Sequence, residues 1–212
     1  MKKNRIFIVA CILSTVVSCK TTETHVLSVK EATNRTIKLL STAQNKTAWQ
    51  QVQLVNDWVN NSIKQSDDVA IWGKRDFWAS PLEVIAKAAG DCEDYAVTKY
   101  LLLREIGIPS EQLFLSHVDY EHQNAPHMVL IYFNHSDHGY YVLDNIITHV
   151  KPSQIRRDLT YKFSFNESTV FAGSPPELTP IKGSHPSQIS NWMQVFSKWN
   201  VERLRLSTHE QQ

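Results

Sequence analysis

The stretch Ala88-Ala89-Gly90-Asp91-Cys92-Glu93-Asp94-Tyr95 constrains this chain more than any other. One helical pattern breaks at Gly90 and a second starts at Asp91. Ala96, Val97, Tyr100, Leu101, Leu103 and Ile106 give that second helix a broad apolar stripe, and Gly107 and Pro109 stop it. Cys92 therefore falls in its first turn. Backbone N–H groups and the helix dipole at that position favour an anion, lower a thiol pKa and can help hold an oxyanion. Asp91, Glu93 and Asp94 oppose this, since unpaired negative charge beside a thiol disfavours its thiolate. Either they act as caps, with Asp91 at the N-cap and Asp94 at the reciprocal position of a capping box, or a hard cation such as calcium neutralises them.

The chain has 212 residues, enough for one domain with a closed core, and its net charge of +1 points to neither nucleic acid nor acidic partners. Met1-Lys2-Lys3-Asn4-Arg5 is a short basic start, and Ile6 to Val17 is an apolar run too short to span a bilayer. Val16-Val17-Ser18-Cys19 resembles a bacterial lipobox, which makes residues 1–18 a lipoprotein-type signal peptide and Cys19 the lipidated residue; an ordinary signal peptide cut nearby is the alternative. Lys20 after Cys19 suggests anchoring to the outer membrane, with the protein in the periplasm. Of the three cysteines, Cys11 lies in the signal peptide and Cys19 is acylated, so Cys92 remains as a lone thiol in an exported domain. It is either a buried structural residue or one that is used.

Residues 19–45 read as a polar tether turning weakly helical, and 46–212 as the domain. Thr47 caps a helix in which Trp49, Val52, Asn56, Val59 and Ile63 share a face. Ser80-Pro81 starts another helix, running through Ala88. Trp78, just before it, is a core residue or a cleft wall. After Pro109 the pattern turns to strands: Leu113 to Val118, His127 to Phe133 and Tyr140 to Asn145, the last two as a hairpin. His127 opens one arm and Asp144 closes the other, so the two are neighbours across the hairpin. They can serve Cys92 as base and orienter. His117 competes with His127 for the first role and Asn145 with Asp144 for the second, whereas His122, His135 and His138 look solvated. From 150 to 188 the chain is polar and proline-bearing, with Tyr161 to Phe165 as one further edge strand. Trp192, Val195, Phe196 and Trp199 mark a terminal helix.

Gly90-Asp91-Cys92-Glu93-Asp94-Tyr95, His127-Met128-Val129-Leu130 and Leu143-Asp144-Asn145 together resemble the bacterial transglutaminase-like cysteine proteinases. So do Asp76 to Glu83 ahead of the cysteine and Asn56 to Asn60 upstream, and the resemblance covers about residues 45 to 165. It implies an α+β, papain-like or transglutaminase-like fold, with N-terminal helices and the nucleophile's helix packed on an antiparallel sheet. It implies Cys92 as nucleophile, His127 as base and Asp144 as orienter. By the same resemblance Asp91 and Glu93 bind calcium, with Asp94 as an addition, and Trp78 is a cleft or oxyanion residue. The implied activity is a calcium-dependent endopeptidase of the cell envelope acting on a large surface adhesin or another envelope protein, with an inner-membrane receptor that sequesters the protease. The same triad also suits acyl transfer of the transglutaminase or amidase type. A non-catalytic, calcium-responsive binding module is the reading outside enzymology. Lipid anchoring and the tail after residue 165 depart from the family pattern.

Overall fold

A computed structural model describes residues 26–123 and 125–209. The signal-peptide and lipid-anchor readings at residues 1–19 lie outside them. In chain order the elements are α1 (Val29–Ala43), α2 (Ala48–Ser62), β1 (Lys64–Gln65), α3 (Asp68–Trp72), α4 (Pro81–Lys87), β2 (Ala89–Gly90) and α5 (Cys92–Ile106), followed by β3 (Leu113–Tyr120), β4 (Ala125–Asn134), β5 (Gly139–Leu143), β6 (Lys151–Pro152), β7 (Leu159–Phe165), β8 (Val170–Ala172), β9 (Thr179–Pro180) and α6 (Ser190–His209). The fold is α+β, as the resemblance implied, with helices on one face of a seven-stranded antiparallel sheet ordered β6-β5-β4-β3-β7-β8-β9.

Three helix starts share one device. Ser28 with Glu31, Thr47 with Gln50 and Ser80 with Glu83 each form a reciprocal capping box, which satisfies otherwise orphaned first-turn amides. The box at Ser28 explains why Val29–Ala43 is a full helix with Ala32, Thr36, Leu39 and Ala43 buried, firmer than the weak helical pattern of that segment suggested. α4 ends at Lys87, with Ala88 in the left-handed region, and Ala89–Gly90 then pairs in parallel with Lys64–Gln65. The break before Cys92 is thus a small two-stranded ladder and not an open turn.

α5 is the centre of the molecule. Every residue from Asp94 to Leu103 is buried, with α2 and α4 on its flanks and β4 beneath it. β4 is apolar on both faces: Met128, Leu130 and Tyr132 join the helix-side core, whereas Val129 and Ile131 join Phe114, Val118 and Val142 on the opposite face. A strand buried on both sides reads as a continuous apolar run, which is the pattern of His127 to Phe133.

Two expectations for the second half fail. Tyr161–Phe165 is internal, since β7 pairs with both β3 and β8. The stretch from 150 to 188 is not irregular throughout; β6, β8 and β9 come from it. These strands are two or three residues long and two of them contain proline, too short for a period-two pattern to register.

α6 closes the helical layer. Trp192, Val195 and Trp199 are buried, and Trp192 meets Tyr100 and Phe165 edge-on at 5.4 and 5.6 Å. Its polar side chains reach the segment that leads into α4. The Ser80 hydroxyl donates to Glu202 at 2.6 Å, Lys198 pairs with Glu83 at 3.0 Å, and Asn191 donates to Asp76 Oδ2 at 2.9 Å.

Candidate active site

Cys92 is the first residue of α5, with Asp91 at the N-cap position. The capping box expected there is incomplete. The Asp91 side chain caps nothing, because it is turned toward other carboxylates. Asp94 turns the opposite way: its Oδ1 accepts the Ala79 amide at 2.9 Å, which ties α5 to the segment before α4. Gly90 is required by this arrangement, since a Cβ on it would sit 2.7 Å from the Asp94 Cβ.

Cys92, Glu93, Asp76, Trp78, His117, Pro126, His127 and Met128 line one cleft of about 130 Å³. Three parts of the chain bring them together: the N-terminus of α5, the loop before α4 that carries Asp76 and Trp78, and the adjacent strands β3 and β4. His127 enters at the start of β4, and its Nε2 lies 2.9 Å from Asp144 Oδ1, just beyond the end of β5. The hairpin therefore makes the contact that its two ends suggested. With Nε2 engaged by a carboxylate, Nδ1 is the ring nitrogen left for the cleft.

Asp144 is held from several directions. Its Oδ1 also accepts the Ile146 amide at 3.0 Å, and its Oδ2 accepts Arg156 Nη2 at 2.8 Å. Its main-chain carbonyl accepts Lys99 Nζ at 2.9 Å and Asn60 Nδ2 at 3.0 Å. Burial alone would raise the pKa of Asp144, but the hydrogen bond and charge of His127, with Ile146 and Arg156, outweigh it and hold the group well below the usual carboxylate range. Burial depresses the Lys99 amine to about 7, against the opposing pull of Asp144 and Asp57. Asn145 takes no part, since its amide donates to Gln65.

His117 stays in the cleft without a carboxylate partner. It stacks on Phe163 at 4.5 Å and on Trp78 at 6.1 Å, and the β3–β7 register slips directly after it. Burial lowers its pKa, against opposing effects of Glu93 and Asp76. Trp78 is 6% exposed and forms part of the cleft wall, but its indole N–H donates to Asp76 Oδ1 at 3.1 Å. In this state Trp78 is a wall and not an oxyanion donor. His122, His135 and His138 are exposed, as their loop positions suggested.

The carboxylates are the unusual part. Asp68, Asp91 and Glu93 bring an oxygen each to within 4.8 Å of one another. Asp94, which was expected among them, is directed to Ala79 instead, and Asp68 takes its place. Asp68 Oδ1 and Asp91 Oδ1 are buried without a hydrogen-bond partner, and so is the second oxygen of Asp94, Oδ2. Asp91 is pushed up to about 9 by burial and by the charges of Glu93, Asp94 and Asp68. Burial likewise raises Asp68. The Cys92 thiol donates to Glu93 Oε2 at 3.1 Å, and burial together with Glu93 and Asp91 pushes its pKa far up, against a hydrogen bond from the Met128 backbone. Two orphaned buried carboxylate oxygens beside a third carboxylate are a hard-oxygen donor set, and it suits calcium.

Four contributors escaped the sequence reading. Asp68 carried no signal that set it apart from Asp67. Arg156 sits in a stretch with no periodicity. Lys99 and Asn60 did leave a trace, as polar residues on otherwise buried helix faces, Lys99 two turns after Cys92.

The family model for bacterial transglutaminase-like cysteine proteinases matches residues 19–173. Three solved structures share the fold. Legionella pneumophila LapG is 23% identical, with a TM-score of 0.65 over 82% of this chain and 98% of that one. Its EGTA-treated form is 23% identical with a TM-score of 0.67, over 82% and 98% of the two chains. The calcium-bound form is 24% identical with a TM-score of 0.65, over 82% and 99%. No curated protein sequence matches the chain.

Proposed function

The chain belongs to the bacterial transglutaminase-like cysteine proteinases and is a cysteine peptidase; we propose that it is an endopeptidase of the cell envelope that works through Cys92, His127 and Asp144. The observation that carries this reading is the cleft shared by Cys92 and His127, with His127 Nε2 held 2.9 Å from Asp144. Asp144 fixes the imidazole so that Nδ1 exchanges a proton with the thiol. The Cys92 sulfur attacks a peptide carbonyl, and a thioester forms as the C–N bond breaks. The proton on His127 passes to the leaving amine. Water, deprotonated by His127, then releases the acid and restores the thiol. Amides in the first turn of α5 are available to the developing oxyanion.

Asp68, Asp91 and Glu93 are the residues that would hold calcium, with Asp94 kept as a brace for the Ala79 segment. A bound calcium ion supplies positive charge that offsets the carboxylates opposing the Cys92 thiolate. The calcium-bound structure of the LapG of L. pneumophila supports calcium as the ion.

The substrate we propose is a large surface adhesin or another envelope protein, with an inner-membrane receptor as the partner that sequesters the enzyme. Acyl transfer to an amine uses the same three residues and is separated from hydrolysis by its products. The envelope location rests on residues 1–19, with Cys19 as the acylated residue. Cys19→Ser is expected to release the protein from membranes, and continued membrane association contradicts the anchor.

With calcium present, the wild-type protein is expected to generate new N-termini in a bacterial envelope extract, read by mass spectrometry. Cys92→Ala and His127→Ala each remove at least about a thousandfold of that activity. Retained cleavage in either variant contradicts the triad, and crosslinked products without new N-termini favour transfer. In calorimetry, calcium binding is expected to weaken at least about tenfold in Asp68→Asn and in Asp91→Asn, and to persist in Asp94→Asn. Unchanged binding in Asp68→Asn removes that residue from the set.

A further inference from the structure

We propose, resting on the triad reading above, that Arg156 is a positioning residue for the reaction: it fixes the Asp144 carboxylate so that Oδ1 faces His127. The two oxygens of Asp144 have divided duties. Oδ1 receives His127 Nε2 at 2.9 Å and the Ile146 amide at 3.0 Å, and Oδ2 receives Arg156 Nη2 at 2.8 Å. The Asp144 side chain is 0% exposed and that of Arg156 3%, so water does not compete for these groups.

The guanidinium is itself aimed. Asp158 accepts Arg156 Nε at 3.0 and 3.1 Å through its two oxygens and Nη2 at 2.8 Å. The Arg156 backbone is fixed as well, its amide donating to Ser153 at 3.1 Å across a short 3-10 turn (Ser153–Ile155). On the other side, Lys99 and Asn60 hold the Asp144 carbonyl. The Asp144 main chain is therefore anchored from the helix that carries Cys92 and from α2, and what remains is rotation of the carboxylate, which the Ile146 amide restrains at Oδ1 and Arg156 at Oδ2.

A buried ion pair adds little stability by itself, because desolvation offsets most of its attraction. A planar guanidinium with one edge on Asp158 and one Nη on Asp144 does something a point charge does not: it sets direction. Partners at this distance from the reacting atoms commonly alter activity by about ten- to a hundredfold while touching no substrate.

The test uses the full chain in calcium-containing buffer with two readouts at neutral pH: the downfield proton NMR resonance of the His127 Nε2–H, and the rate of Cys92 alkylation by iodoacetamide. Arg156→Gln is expected to lose or broaden the resonance and to slow alkylation at least about tenfold, while the protein still unfolds cooperatively. Arg156→Lys, which keeps the charge without the fork, recovers only part of both. Asp158→Asn, which leaves Arg156 in place but less firmly aimed, moves both readouts the same way by a smaller amount. It carries the test should Arg156→Gln fail to fold. A wild-type resonance and rate in folded Arg156→Gln, or in Asp158→Asn, overturns the proposal. His127→Ala separates the two levels. If it alkylates at the wild-type rate, the triad reading is what fails; if it is slow while Arg156→Gln is not, only the role of Arg156 fails.

Discussion

The structure depends on how negative charge is managed around one thiol. Asp68, Asp91, Glu93 and Asp94 all lie at or near the start of α5, and burial alone makes each buried charge costly. A helix N-terminus ordinarily favours a thiolate, but here burial and, after it, the neighbouring carboxylates outweigh it and push the Cys92 pKa far up. The protein settles part of the conflict internally. Asp94 is given the Ala79 amide and Asp68 the Phe77 amide. What stays unsettled is one orphaned oxygen each on Asp68, Asp91 and Asp94, of which the Asp68 and Asp91 carboxylates gather with Glu93.

Those two amides also do mechanical work. Ala79 and Phe77 belong to the segment that carries Asp76 and Trp78 into the cleft wall, so the carboxylates that surround Cys92 also hold that wall in place. α6 braces the segment from outside through Asn191, Lys198 and Glu202. The site is thus fixed between α5, a braced loop and the sheet, with the His127–Asp144 pair presented from the hairpin opposite.

Legibility in the sequence followed the range of the interaction. The helix starts at Thr47 and Ser80, the stripe on α5 and the apolar run of β4 are local patterns, and each is realised where it was read. The His127–Asp144 contact was readable because a hairpin converts sequence order into proximity. The partition of the carboxylates was not. Asp94 and Glu93 are adjacent carboxylates on different sides of the first helical turn, and Asp68 enters from a five-residue helix with no periodicity to place it. Arg156 comes from an irregular stretch joined to the site by its own side chain, through the bond to Asp144, which no local pattern announces. The short strands β6, β8 and β9 went unread for the same reason: pairing partners define them, not their own residues.

Under the proposed function, Cys92 becomes a usable nucleophile once the carboxylates around it are offset by a hard cation. The rate of Cys92 alkylation by iodoacetamide at neutral pH, measured on one preparation in chelator and again after calcium is restored, tests it most directly. A reversible increase of at least about tenfold is expected on adding calcium, lost in Asp68→Asn. A rate that is the same in chelator and in calcium contradicts it.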